Sequence, residues 1–288
     1  GPFRSRIVRF LIKLILNVAC SNGYLTITAR DNLTVDYLTE INYRGEVYET
    51  LDPAFLLTPN LSSPKLKDIV ANLSSKDTGK MIIGIVPSAL SIKFVPGSSL
   101  KEKLIEYVLK LYKLIDELDK ALDFDKILLI PHSLGPKNND DRIIIRLLER
   151  LLVIKKRKNL LNKSLFLYMD ILSPNETKAL ISICDVLLTF RMHPSIHALS
   201  LGIPAIPIEY DHKVLGLIKT LQLDDMIHIP HISEFGTFTV TRKILWTLRN
   251  AKRIREHLKK ILPSVKAKAK LNFAILEKII MKICGCTK

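Results

Sequence analysis

From residue 81 onward the chain alternates so regularly that few folds remain open to it. Short apolar runs of strand length stand at Met81–Val86, Lys126–Ile130, Ser164–Tyr168, Asp185–Phe190, Pro204–Ile208 and Met226–Ile229, and helical segments lie between them. The clearest helix is Lys101–Leu122, where Leu104, Val108, Leu111, Ile115, Leu118 and Leu122 recur at spacings of four and three, one buried stripe. A second helix is expected over Asp140–Lys155. A third opens at Ser173-Pro174-Asn175-Glu176, a capping box with proline at the first helical position. Strands that alternate with helices read as a doubly wound α/β domain with a parallel sheet.

In such sheets ligands bind outside the carboxyl ends of the strands. Four consecutive strands here end in polar side chains. His132 follows the second, Asp170 the third, Arg191 and His193 the fourth, and Glu209, Tyr210 and Lys213 the fifth. The fourth case is the richest. Asp185–Phe190 breaks at Arg191-Met192-His193-Pro194, and a short helix, Ser195–Leu201, follows and is closed by Gly202. A helix start presents unsatisfied N–H groups and a partial positive charge, and arginine adds a planar fork suited to phosphate or carboxylate. The spacing therefore predicts an anion site at this strand end. His197 lies four residues after His193, but without a third ligand nearby the pair makes a poor zinc site. Asp140 and Asp141 read most simply as cap and first-turn acid.

The N-terminal part is less regular. Arg4–Val18 is expected to be a basic amphipathic helix packed on a sheet, Tyr24–Thr28 a strand, and Leu33–Ile41 a helix with Asp31 at its cap. Residues 1–57 look like the later part of an α/β domain. Residues 58–80, rich in Pro, Asn and Ser, form the expected linker, and 81–232 the ligand-binding domain. Two basic helices, about Thr241–Ile261 and Val265–Ile283 with Pro263 between them, are expected within 233–288.

The net charge is +16, from 44 Lys+Arg against 28 Asp+Glu, which points to anionic substrates, an anionic membrane surface or nucleic acid. No apolar run reaches the roughly 18–20 residues that span a bilayer. The sparse cysteines Cys20, Cys184, Cys284 and Cys286 lack metal-ligand spacing and read as reduced thiols of a cytoplasmic protein. No Walker A, no GxGxxG after a strand, no zinc finger and no RNA-recognition motif is present, which argues against an NTPase, a dinucleotide enzyme or a sequence-specific nucleic-acid binder.

The set Arg191, His193, Gly202, Pro204, Tyr210, Asp211 and Lys213 resembles the signature of the polysaccharide pyruvyl transferase family. Pro131-His132 with Asp140-Asp141-Arg142 downstream, and Arg30-Asp31 after a strand, are similar to further family segments. The resemblance implies two Rossmann-like domains facing across a cleft, as in the GT-B fold, with the N-terminal one represented here by its later part. It implies transfer of a pyruvyl group from phosphoenolpyruvate to a sugar of a cell-surface polysaccharide or its lipid-linked precursor, with no cofactor and no metal. On this reading His193 is the acid/base, with His132 second. Arg191, Arg30, Lys213 and Tyr210 hold phosphoenolpyruvate. Peripheral association with the inner face of an anionic membrane fits the charge. Two alternatives stand beside it: a nucleotide-sugar glycosyltransferase of the same fold, and a non-catalytic basic binding module.

Overall fold

The computed structural model describes residues 5–23, 25–73, 81–136, 139–167, 172–208, 212–227, 231–234 and 238–285. The N-terminal part contains α1 (Arg6–Ser21), β1 (Ile27–Ala29), α2 (Asn32–Glu40) and β2 (Val47–Glu49), followed by a 3₁₀ turn at Pro53–Leu56 and α3 (Pro64–Leu73). The main unit runs β3 (Met81–Val86), α4 (Leu100–Ala121), β4 (Phe124–Leu129), α5 (Asp141–Ile154), α6 (Lys158–Lys163), β5 (Ser164–Phe166), α7 (Pro174–Ile181), β6 (Val186–Thr189), α8 (Met192–Ser200), β7 (Ala205–Pro207) and α9 (His212–Thr220). Helices α10 (Phe238–Arg249) and α11 (Ala251–Ile283) follow.

The five-stranded sheet has the order β5-β4-β3-β6-β7, and every pair in it is parallel. The chain starts at the centre, moves out to β5 and returns to build β6 and β7 on the other side. The strand order therefore reverses between β3 and β6, which is where such sheets open a crevice. Side chains alternate between two apolar clusters, one on each face. Ile82, Val86, Leu128 and Leu187 enter the first; Ile83, Ile85, Ile127, Leu129, Val186 and Leu188 enter the second. Near-continuous burial along β3 and β6 explains why these strands read as unbroken apolar runs. Gly84 lies where a Cβ would come within 2.7 Å of Cys184 Sγ and Leu187 Cδ1, so the central strand has no room for a side chain there.

Several expectations are corrected. Helix α1 is less embedded than expected: none of its residues is buried, and Ile7, Phe10, Leu11, Leu14, Ile15 and Val18 are all exposed. Amphipathicity marks the apolar face of a helix but not what covers it. The expected linker 58–80 contains α3, whose Leu66 and Leu73 are buried in the first cluster. The turn after β2 also belongs to that cluster through Leu51 and Phe55, so the main unit's core begins before residue 57. A sixth strand over Met226–Ile229 is not found at 226–227, and 228–229 lie outside the described residues. The last two helices meet at Asn250, and α11 runs through Pro263. Proline removes one helical hydrogen bond there, but Ile254 and Leu258 before it and Val265 and Ala269 after it stay buried on one face.

Candidate functional site

The crevice at the switch point is organised by one carboxylate. Asp140 has extended backbone and caps α5, accepting from the Arg142 backbone N–H at 3.0 Å and pairing with its guanidinium at 2.8 Å. Asp141, the next residue, is fully buried. Its Oδ1 accepts from the Ala89 N–H at 2.8 Å and from Arg191 Nη2 at 2.7 Å. Its Oδ2 accepts from the N–H groups of His132 (3.2 Å) and Ser133 (2.8 Å) and from Arg191 Nε (2.8 Å). The segments after β3, β4 and β6 thus converge on a single side chain. Asn139 Oδ1 accepts a further bond from Arg191 Nη2 at 3.0 Å. Arg191, with its side chain 12% exposed, is held rigidly by one edge of its guanidinium. Its Nη1 is the nitrogen not engaged by Asp141 or Asn139.

Arg191 is the N-cap of α8, with Met192, His193 and Pro194 as the first turn. Thr189 Oγ1 accepts from the Arg191 N–H and donates to the Arg191 carbonyl, which also receives Ser195 Oγ. The helix closes at Gly202 with φ +77°, and Gly202 N–H bonds Leu199 O while Ile203 N–H bonds Ala198 O, a Schellman closure.

Three histidines run inward from this edge. His193 is half exposed. Its ring lies 6.4 Å from that of His132, nearly parallel at 24°. His132 in turn meets the edge of buried His197 at 6.0 Å and 75°. Burial pushes His132 down to about 4, helped by the charge of Arg191 and by His193. Burial likewise pushes His197 down to about 3, helped by His132, Lys178 and His193. Both inner imidazoles are therefore neutral at physiological pH, and the Nδ1 of each is buried without a hydrogen-bond partner among the described residues. Lys178 of α7, also buried, is pushed down to about 8 by burial and by Lys266. Among the described residues no group of three His, Cys, Asp or Glu could hold a metal.

From the N-terminal side, Arg30 donates from Nη1 to Asp52 Oδ2 at 2.7 Å, and its Nε lies 3.9 Å from Asp31. Asp31 caps α2, accepting from the Thr34 N–H at 2.8 Å. Asp52 Oδ2 also faces His193 Nε2 at 3.8 Å. Arg30, Asp52, Phe55 and Met192 line a small pocket here. A cavity of about 370 Å³ lies beside it, between α2 and α9, lined by Asn32, Asp36, Gly216 and Lys219 with Thr220 common to both.

The structure therefore brings together Arg191, His193, His132 and Arg30. Lys213 is the second residue of α9. Tyr210, Glu209 and Asp170 lie outside the described residues. Sequence reasoning missed two residues, Asp141 and Asp52. For Asp141 a signal was available: two consecutive acids open a helix that needs only one cap. The assembled edge offers cationic donors, a helix start and an imidazole, which together can bind an anion and move a proton beside it.

A family model described as polysaccharide pyruvyl transferase matches residues 1–212. No curated protein matches the sequence. Among solved structures, sucrose-phosphate synthase from Thermosynechococcus elongatus is similar at 12% identity and a TM-score of 0.50, covering 97% of this chain and 63% of that one. The α,α-trehalose-phosphate synthase (UDP-forming) from Burkholderia vietnamiensis is similar at 13% identity and a TM-score of 0.55, covering 97% of this chain and 68% of that one. The chain thus spans about two thirds of these relatives, 63% and 68% of their lengths. The likeness is one of fold, the GT-B type.

Proposed function

This chain belongs to the polysaccharide pyruvyl transferase family, and on that premise we propose that it transfers a pyruvyl group from phosphoenolpyruvate to two hydroxyls of a sugar in a cell-surface polysaccharide or its lipid-linked precursor. The observation that carries the reading is the meeting of a rigid guanidinium, a helix start and a half-exposed imidazole within the family-matched region. Phosphoenolpyruvate carries a phosphate and a carboxylate. Arg191, through Nη1, and the start of α8 are the groups we assign to this anion, and Arg30, Lys213 and Tyr210 are assigned to its outer side. Each charge-assisted contact contributes about 1.5–3 kcal/mol.

The chemistry is addition followed by displacement. One sugar hydroxyl adds to C2 of the enol, its proton passing to the phosphate group, while C3 gains a proton and becomes a methyl group. The second hydroxyl then displaces phosphate from C2 and closes the ketal. His193, protonated, supplies the C3 proton. Once neutral, it takes a proton from the second hydroxyl, so one imidazole completes the cycle. His132, held neutral by burial, packs behind it as the second acid/base candidate. No cofactor is required. The donor is a cytoplasmic metabolite, so the reaction belongs on the cytoplasmic side, and the basic surface suits contact with the inner face of an anionic membrane.

The test follows phosphate release from phosphoenolpyruvate with a panel of sugar acceptors, beside calorimetric binding of phosphoenolpyruvate and of uridine diphosphate sugars. His193→Ala is expected to lower turnover by roughly 10²–10⁴-fold. Binding of nucleotide sugars but not of phosphoenolpyruvate would replace this reading with glycosyl transfer. Binding of neither, with salt-sensitive adsorption to anionic vesicles, would leave a basic binding module.

A further inference from the structure

Asp52 stands out because its position is built from both sides. Leu51 and Phe55, flanking it, are buried in the same apolar cluster as Ile196 of α8. Fully burying side chains of this size contributes about 1.5–3 kcal/mol each, so the turn is fixed on the helix that carries His193. From α11, Asn272 Nδ2 donates to the Leu51 carbonyl at 2.8 Å, and its Oδ1 accepts from Thr50 Oγ1 at 3.0 Å. The Asp52 carboxylate is itself divided. Oδ1 accepts from the Ala54 N–H at 3.0 Å and so caps the turn. Oδ2 accepts from Arg30 Nη1 at 2.7 Å and faces His193 Nε2 at 3.8 Å.

We propose that Asp52 is the positioning residue for His193: its Oδ2 accepts from Nε2–H and so aims the imidazole, leaving the proton on Nδ1 to be delivered to C3 of the donor. This rests on the pyruvyl-transfer reading above. A general acid needs a partner that favours its charged form and fixes its ring, and a carboxylate on an imidazole nitrogen does both. A gap of 3.8 Å is longer than a hydrogen bond, and such contacts commonly tighten when substrate fills a site. Arg30 then has a second part in the site. By pairing with Asp52 it keeps that carboxylate in place, and the Arg30–Asp52–His193 row joins the N-terminal part to α8.

The alternative is that Asp52 serves only as the cap of the 3₁₀ turn. Asp52→Ser separates the two, because serine retains a capping oxygen but is too short to reach His193. The full chain would be assayed for phosphate release from phosphoenolpyruvate with a panel of methyl hexopyranosides, together with its melting temperature. The expected result is a fall in kcat of roughly 30–100-fold, a KM for phosphoenolpyruvate within threefold of the parent, and an almost unchanged melting temperature. The double variant Asp52→Ser/His193→Ala should be no slower than His193→Ala, since the two act as a unit. An Asp52→Ser protein within threefold of the parent kcat, or a double variant slowed by the product of the single effects, overturns the proposal.

A second readout separates this from the fate of the function itself. In ¹⁵N-edited spectra of the protein without substrate, a slowly exchanging Nε2 proton on His193 that Asp52→Ser abolishes supports the pairing even where no pyruvyl transfer is detected. If the parent shows no such proton and no transfer, the pairing is refuted along with the reaction.

Discussion

Replacing Asp141 by asparagine tests whether the crevice at the switch point is held together electrostatically. The two side chains have nearly the same shape, so packing is preserved and the charge is what changes. Asp141 accepts three backbone N–H bonds and two from Arg191. Asparagine keeps one acceptor oxygen and presents an NH₂ in place of the other. With either orientation at least two donors face a donor. Breaking a buried ion pair by removing one partner costs about 3–5 kcal/mol. Arg191 retains 12% side-chain exposure and its bond to Asn139, which places the expected loss at the lower end, about 3 kcal/mol. Against a total of about 5–15 kcal/mol for a domain, that is a large fraction. Urea unfolding of the parent, Asp141→Asn, Arg191→Met and the double variant gives the coupling directly. The double variant should recover at least about 2 kcal/mol relative to the sum of the singles, because the uncompensated cation is gone. A loss below about 1 kcal/mol for Asp141→Asn, or strict additivity, would refute the argument.

Two further outcomes follow from the geometry. His132 and His197 have folded values of about 4 and about 3, below the ordinary 6.5. Protonation therefore favours the unfolded chain. Stability is full above about pH 6.5 and falls as pH drops toward 4, by on the order of 3 kcal/mol for each imidazole at pH 4. Thermal unfolding from pH 7.5 to 4 measures this, and His197→Phe should flatten the fall; an unchanged slope in that variant would remove His197 from the account. Gly84→Ala forces a Cβ to within 2.7 Å of Cys184 Sγ and Leu187 Cδ1, so it should cost roughly 1–3 kcal/mol by urea unfolding, and part of that should return when Cys184 is also changed to alanine, the contact with Leu187 remaining.

The main sheet was legible because its signals are local. β3 and β6 are unbroken apolar runs, α4 carries a stripe at helical spacing, and α7 opens with the Ser173–Glu176 capping box found in the structure. Strand direction then places His132, Arg191 and His193 at one edge without further information. The less legible features depend on partners distant in sequence. Asp141 meets Arg191 fifty residues away, and Asp52 faces His193 from a turn packed on a helix far along the chain. Nothing local distinguishes Asp52 from an ordinary cap, and the one local mark of Asp141 is that it follows an aspartate that already caps the helix. The exposure of α1 escaped for the opposite reason: its pattern is strong, but a pattern specifies only which face is apolar. The break at Asn250 rather than Pro263 shows tertiary burial outweighing a single unfavourable residue.

The turn at residues 53–56, with Leu51 and Phe55 set into the main core, bears on how the chain reaches its final shape. Upstream of it, β1 and β2 form a two-stranded parallel sheet and α1 buries no side chain. Two strands alone hold little structure in water. The order of residues 25–49 is therefore borrowed, passed along the backbone from a turn whose own footing is a sheet assembled from residues 81–207. Amide exchange should record that debt as a gradient, with protection deepest in β3 and β6 and weakening toward α1. Arg30 sits within the weakly protected stretch, so the outer side of the crevice should be the last part to become ordered and the first to loosen.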